Sequence, residues 1–354
     1  MGGGSSTKVR FPDYIGLDHF EVNKQVGEGG FGIVNAVTHI ATGKDYAMKT
    51  LSKKTIKQTK NVSMIKNERG ILSKLSRDSP WIAGMHYAFQ NKEDCFLVLN
   101  LAPGGDLRYH LTQIHKCAMK EDLVAFYTRG VVLALKEVHA ARIIHRDVKP
   151  DNVVINARGY AVLTDFGISK EMDEDGMCVG SSGTRAYMAP EAIKAPHKHG
   201  KLCDTFSLAA MIYELVTNKR STHVASMSQE SLGNMKSNNE LGDISNLEVS
   251  DDLKDFLRHT FILDPAKRLD PDQMLKHTWM LKGIDMQAFE KQEQTAPWLP
   301  EATRAYCITN QLKEAGSMFD EPPSMKNLVL PKDTDYGDFN YYDYNCAIEP
   351  SASS

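Results

Sequence analysis

Residues 145–152 read HRDVKPDN, and residues 164–167 read TDFG. These stretches gather two carboxylates, Asp147 and Asp165, with the ammonium of Lys149 and the amide of Asn152. Asp147 can take a proton from an attacking hydroxyl. Lys149 is a point charge suited to a migrating anion. Asn152 and Asp165 offer the hard oxygen atoms that Mg²⁺ prefers. Either tripeptide, HRD or DFG, can arise by chance in a loop, so the rest of the chain has to supply their context.

Upstream, Gly27-Glu28-Gly29-Gly30-Phe31-Gly32-Ile33-Val34 is a G-x-G-x-x-G-x-V stretch. Glycines let a backbone approach phosphate oxygens closely. Dinucleotide-binding loops share the pattern, but they open a helix and want an acidic residue about 20 positions later. Here short alternating runs follow instead (FGIVNAVTHI, then DYAMKT), and the latter ends near Lys49, placed to reach α/β phosphates. Glu68 lies mid-way along the apolar-periodic stretch 61–76, ended by Ser79-Pro80, and is the carboxylate expected to hold Lys49. Downstream comes Ala189-Pro190-Glu191. Phosphoryl transfer asks a protein for positioning, metal ions and charge stabilisation, which this ordered set provides.

Strands are also expected over 83–89 and 95–100, a break at Pro103-Gly104-Gly105, and helices over 120–141 and 251–262. The pattern gives a β-rich lobe (20–99), a hinge (100–105) and a helical lobe (106–280). Residues 1–19 form a leader, and 281–354, with 285–354 rich in Pro, Asp and Tyr, an extended tail. A net charge of −3 gives no bulk reason to expect nucleic acid. Six scattered cysteines without a C-x-x-C pair fit reduced cytoplasmic thiols, so the Asn61 sequon is expected to stay unused. No apolar run is long enough to span a bilayer. MGGGSS matches an N-myristoylation signal with Gly2 as acceptor, and its plain reading is a flexible Gly/Ser leader. One acyl chain supports only reversible, peripheral membrane association. The run Lys53–Lys60 reads as a solvated face.

On these motifs the chain resembles the eukaryotic protein kinases over about residues 20–280. LNLAPGGDLRYHL (99–111) and IIHRDVKPDN (143–152) are similar to the AGC group, most of all its YANK subfamily. The resemblance implies an α+β, bilobal protein kinase fold with a β-rich N-lobe holding one main helix, a helical C-lobe and an AGC-type C-terminal tail. It implies ATP with Mg²⁺ (or Mn²⁺) and protein substrates bearing Ser or Thr. Leu99 would be the gatekeeper, Asn100, Leu101 and Ala102 the adenine-binding hinge, and Val34 and Ala47 the pocket lining. Leu72, Met85, His145 and Phe166 would stack as a spine anchored by Asp204, and Glu191 would pair with Arg268. Thr184, in TRAY, would bracket Asp147 together with Lys149. Asp106, Asp151 and Glu214 fall where related kinases receive substrate arginines, implying basic residues near the acceptor. For Asp106 ribose binding is the other reading.

Ala296–Pro300 would be a docking turn, and Phe339–Tyr344 an aromatic segment packing on the N-lobe, with Asp343 at a usual phosphorylation position. The other reading of the tail is a disordered acidic-aromatic segment. The usual activating phosphoacceptor falls at Gly180, which has no hydroxyl, so the loop is expected to work unphosphorylated, with Ser181 and Ser182 as bystanders. Departures from the group are DTFSLAA at 204–210 and the polar segment 217–246. The rival reading, a pseudokinase scaffold, requires loss of Lys49, Glu68, Asp147, Asn152 or Asp165, and all are present.

Overall fold

The computed structural model describes residues 15–29, 32–220, 244–300 and 339–342. Gly2, Gly30, Phe31, Asp343, Tyr344 and most of the polar segment 217–246 therefore lie outside the described residues. The chain forms two compact units, one of residues 1–69, 84–101 and 310–354, the other of 70–83 and 102–309.

The first unit is built on a six-stranded antiparallel sheet. Strands β1 (Phe20–Gly29), β2 (Gly32–His39) and β3 (Lys44–Ser52) form a meander, continued by β5 (Asp94–Asn100) and then β4 (Met85–Gln90). Alternation along β3 buries Tyr46 and Met48 on one face and leaves Ala47 and Lys49 half-buried on the other. The buried face joins Phe20, Val37, Phe89 and Phe96 in one apolar cluster. Ile15 and Leu17 belong to that cluster too, so the last residues of the expected leader pack as core because they are apolar and adjoin β1.

Gly32 is required by space, since a Cβ there would stand 1.7 Å from the Thr50 carbonyl oxygen. Helix α1 (Lys53–Gln58) corrects the solvated reading of 53–60. Lys53 and Ile56 are buried, and Lys53 Nζ donates to Gln90 Oε1 (2.8 Å) and the Asn91 carbonyl (2.7 Å). The other lysines of that run remain exposed. Helix α2 (Val62–Leu72) is shorter than the periodicity suggested and carries Glu68 almost fully buried.

The last strand of the sheet comes from the far end of the chain. Tyr341–Tyr342 pairs antiparallel with β4, Tyr341 opposite Ala88 and Tyr342 opposite Tyr87. Phe339 is buried, and Arg69 fastens the turn by donating to the Phe339 carbonyl (3.2 Å) and the Asn340 carbonyl (3.0 Å). Phe339→Ala is expected to cost about 3 kcal/mol, the low end for emptying a buried aromatic site. An unchanged melting temperature would contradict this docking.

The second unit is organised around helix α3 (Glu121–Ala140), buried on nearly every face, and helix α4 (Leu202–Thr217). Helix α4 is buried or half-buried all round, so it lacks the polar–apolar alternation by which a surface helix announces itself. Its Phe206 packs on Phe261 (4.9 Å between centroids) and under the Arg268 guanidinium (4.9 Å), filling the core where the sequence departs from the AGC pattern. Helix α5 (Asp251–Thr260) is capped by Ser250 Oγ, which accepts from the Leu253 amide.

Residues 286–300 are more structured than an extended tail. Met286–Glu290 is a short helix whose Phe289 is buried and stacks on Trp81 (5.3 Å). Trp298, in the expected docking turn, lies edge-on to His110 (4.5 Å). Burial pulls the His110 imidazole pKa down to about 4, against the partial support of its bond to the Gly104 carbonyl. The unfolded imidazole titrates near 6.5, so as pH falls the unfolded chain takes up this proton first. The stability His110 confers is full above about pH 6.5 and is lost as pH falls towards 4. His110→Asn is therefore expected to flatten the fall of the urea midpoint between pH 7 and 5, and an unaltered slope would contradict it.

Candidate active site

In the second unit, the residues that opened the reading converge on one carboxylate. Asp147 Oδ1 accepts from the Thr184 amide (2.9 Å), and Oδ2 accepts from Asn152 Nδ2 (2.9 Å) and pairs with Lys149 Nζ (2.7 Å). Lys149 also donates to Thr184 Oγ1 (2.8 Å), so lysine and threonine close around the aspartate. A second bond from Asn152 Nδ2 to the Asp147 carbonyl (2.8 Å) fixes that amide. With its nitrogen committed, the amide oxygen of Asn152 is the atom left to face a cation.

The backbone explains how these groups are held. Arg146 and Asp165 adopt left-handed φ angles of +69° and +63°, conformations that cost a non-glycine residue of order 1–3 kcal/mol. Asp204, fully buried at the start of α4, provides the compensation. Its carboxylate accepts from the amides of His145 (2.9 Å) and Arg146 (2.7 Å) and from His139 Nε2 (2.8 Å). Burial pushes its pKa up, but the His139 bond, the adjacent imidazoles and the Arg146 amide outweigh it, holding it below the ordinary aspartate value. His145 donates through Nε2 to the Thr164 carbonyl (3.0 Å) and meets Phe166 edge-on at 4.9 Å. Those bonds tie the HRD and DFG segments together. Glu191 and Arg268 form the expected pair, at 2.6 and 2.9 Å, with Arg268 buried.

The segment between Asp165 and Glu191 is anchored by backbone pairing. Met177–Val179 pairs with Lys198–Gly200, and the Gly180 amide donates to the His197 carbonyl (3.1 Å). Arg146 Nε donates to the Ile168 carbonyl (2.7 Å), and a Cβ on Gly180 would lie 3.6 Å from Arg146 Nη1. The guanidinium therefore faces the position that has no hydroxyl. Gly183, at φ +134°, lets the chain pass the Arg146 carbonyl, which a Cβ would approach to 2.7 Å.

In the first unit, Lys49 Nζ meets Glu68 Oε1 at 2.6 Å, the carboxylate nearly fully buried. Cross-strand register sets Lys49 opposite Val34 and Leu97, and Ala47 opposite Ala36 and Leu99. In the glycine hairpin Gly27 pairs with Val34, Glu28 with Ile33 and Gly29 with Gly32. Leu99 is buried, and Asn100 ends β5 with its side-chain oxygen 2.6 Å from His86 Nε2. Leu101 ends the 84–101 stretch of this unit, and Ala102 opens the longer stretch of the second. Asp106 caps the turn Leu107–Tyr109 by accepting from the Tyr109 amide (2.7 Å), and burial pushes its pKa up to about 6.

Three contributors escaped the sequence reading. Arg108 reaches Glu214, Tyr187 and Asp151, Tyr187 donates to Glu214, and His139 supports Asp204. Only Arg108 carried a signal, a guanidinium two residues beyond Asp106.

Residues 20–280 match the family described as protein kinase domain. The chain is 34% identical to serine/threonine-protein kinase AtPK1/AtPK6 of Arabidopsis thaliana, over 85% of this chain and 64% of that protein. It is 30% identical to the RAC family serine/threonine-protein kinase homolog of Dictyostelium discoideum, over 92% of this chain and 70% of that one. With G protein-coupled receptor kinase 4 of Mus musculus it shares 32% identity, over 81% and 50%. The matched stretch is thus about two thirds, 64–66%, of the length of the first curated relatives.

Proposed function

This chain belongs to the protein kinase family, and we propose that it transfers the γ-phosphoryl group of Mg-ATP to Ser and Thr hydroxyls of proteins. The observation that carries the reading is Lys149 bridging Asp147 and Thr184, at 2.7 and 2.8 Å. Asp147 is poised to orient the acceptor hydroxyl and take its proton, while Lys149 neutralises charge on the moving phosphoryl. Thr184 fixes both, an arrangement that favours Ser/Thr over Tyr acceptors. The first unit supplies Lys49, held by Glu68, for the α/β phosphates, with Val34, Ala47, Leu99, Asn100, Leu101 and Ala102 for adenine.

Asn152 and Asp165 are hard oxygen donors that suit Mg²⁺, and Mn²⁺ accepts the same set. When bound, such a cation screens the phosphate charge and lowers the barrier to its transfer. The pseudokinase alternative has no support, because every group it would lack is present and the ion pair and catalytic cluster are formed.

The relatives and the tail strand on β4 support an AGC-type kinase, and the 99–111 segment favours the YANK subfamily. The loop is read as active without phosphorylation, so Ser181→Ala and Ser182→Ala should each keep transfer within about twofold, the scale of exposed-site changes. A large loss in either would contradict that. Gly2 is proposed to be myristoylated, giving a cytoplasmic kinase peripheral at membranes, and Gly2→Ala should abolish membrane partitioning. Among the described residues no helix is long and apolar enough to cross a membrane.

The reading is tested by Mg-ATP-dependent labelling of a serine peptide by wild type and by Lys49→Met. Loss of labelling in the variant is expected, and equal labelling would contradict it.

A further inference from the structure

Asp151 lies between Lys149 and Asn152, and Tyr187 three residues past Thr184, so the groups around Glu214 are continuous with the catalytic cluster. Tyr187 is locked there by Ser207 Oγ, which donates to its carbonyl (2.8 Å). Glu214 Oε1 accepts from Arg108 Nη1 (2.8 Å) and Arg220 Nε (3.2 Å). Its Oε2 accepts from Arg108 Nη2 (3.1 Å) and from the Tyr187 hydroxyl. A carboxylate offers about four lone-pair sites, and each oxygen here already has two donors. The Glu214 side chain is 4% exposed.

Arg108 also spans to Asp151, with Nε and Nη2 each 3.4 Å from Oδ2. Two guanidinium groups face two carboxylates, and the cluster is neutral. An incoming arginine would find no open acceptor on Glu214 and a resident guanidinium beside Asp151. Asp106, the third carboxylate of the expected basic site, is engaged as a helix cap.

We propose that Arg108 is a specificity-determining residue that occupies Glu214 from within the chain, so that this kinase does not select arginine beside the acceptor through that carboxylate. The substrate class is then Ser/Thr segments without an arginine requirement at this subsite, which departs from the expectation of a basic preference built on Asp106, Asp151 and Glu214. The inference rests on the phosphotransfer reading.

The test uses the full chain and peptides with one serine, carrying Arg or Ala at each flanking position in turn. The readout is the ratio of kcat/KM for the Arg and Ala versions. Wild type should give ratios near unity, and Arg108→Ala should raise the ratio at one position about tenfold, as expected for a vacated charge-assisted pair. Glu214→Gln, which keeps the shape, should leave the wild-type ratios unchanged, and it decides the matter where Arg108→Ala fails to fold. A strong arginine preference in wild type, a fall in that ratio in Glu214→Gln, or no gain in a folded Arg108→Ala overturns the proposal. No transfer by wild type to any peptide would instead defeat the phosphotransfer reading on which it rests.

Discussion

Asp147→Ala is expected to lower kcat about a thousandfold, within the range that loss of a positioned general base costs. Asp147 is 9% exposed, and three donors make four bonds to its carboxylate and carbonyl: the Thr184 amide, Lys149 Nζ and, twice, Asn152 Nδ2. Removing it takes away the proton acceptor and frees Lys149 to adopt other geometries. Alanine is a cleaner probe than asparagine, whose amide would set a donor against Lys149 or Asn152. Because Lys49 and the glycine hairpin belong to the other unit, KM for ATP should change only a few-fold. A variant whose kcat falls less than about tenfold would remove Asp147 from the chemistry.

Asp204→Ala is expected to be the most damaging single change to the fold. Three buried donors, the His145 and Arg146 amides and His139 Nε2, lose their acceptor at once. Each stranded donor costs about 1–3 kcal/mol, so at least about 3 kcal/mol is lost. For a unit of this size that is about 10 °C in melting temperature. The effect should reach catalysis as well, since Arg146 keeps its left-handed φ only while its amide is held. Asp204→Asn keeps one acceptor oxygen and should fall between the two. A melting temperature within about 2 °C of wild type in Asp204→Ala would contradict the anchoring role.

Much of the site is legible in the sequence because the residues that do the chemistry sit in short, contiguous stretches. Spacing and residue type point to Lys49, Glu68, Asp147, Lys149 and Asn152, the family resemblance adds Thr184, and the structure assembles them in two groups, one per unit. Alternating residues exposed the strands of the meander in the same way. Helix α4 has no periodic signature in the sequence, because burial on all sides erases amphipathic periodicity. Lys53 misled because a lysine amid lysines reads as solvated, while its ammonium finds two oxygen acceptors at the end of β4. Glu214 poses a related difficulty. Its sequence position says that a carboxylate is present, but whether its oxygens are spent depends on Arg108, Tyr187 and Arg220, which meet it only in the fold.

The most direct measurement is γ-phosphoryl transfer from Mg-ATP to paired peptides that differ only in carrying serine or tyrosine at the acceptor, using wild type and Asp147→Ala purified identically. Wild type should yield phosphoserine and little or no phosphotyrosine, and the variant neither. Equal phosphate incorporation by the two proteins, or none by wild type, would contradict it.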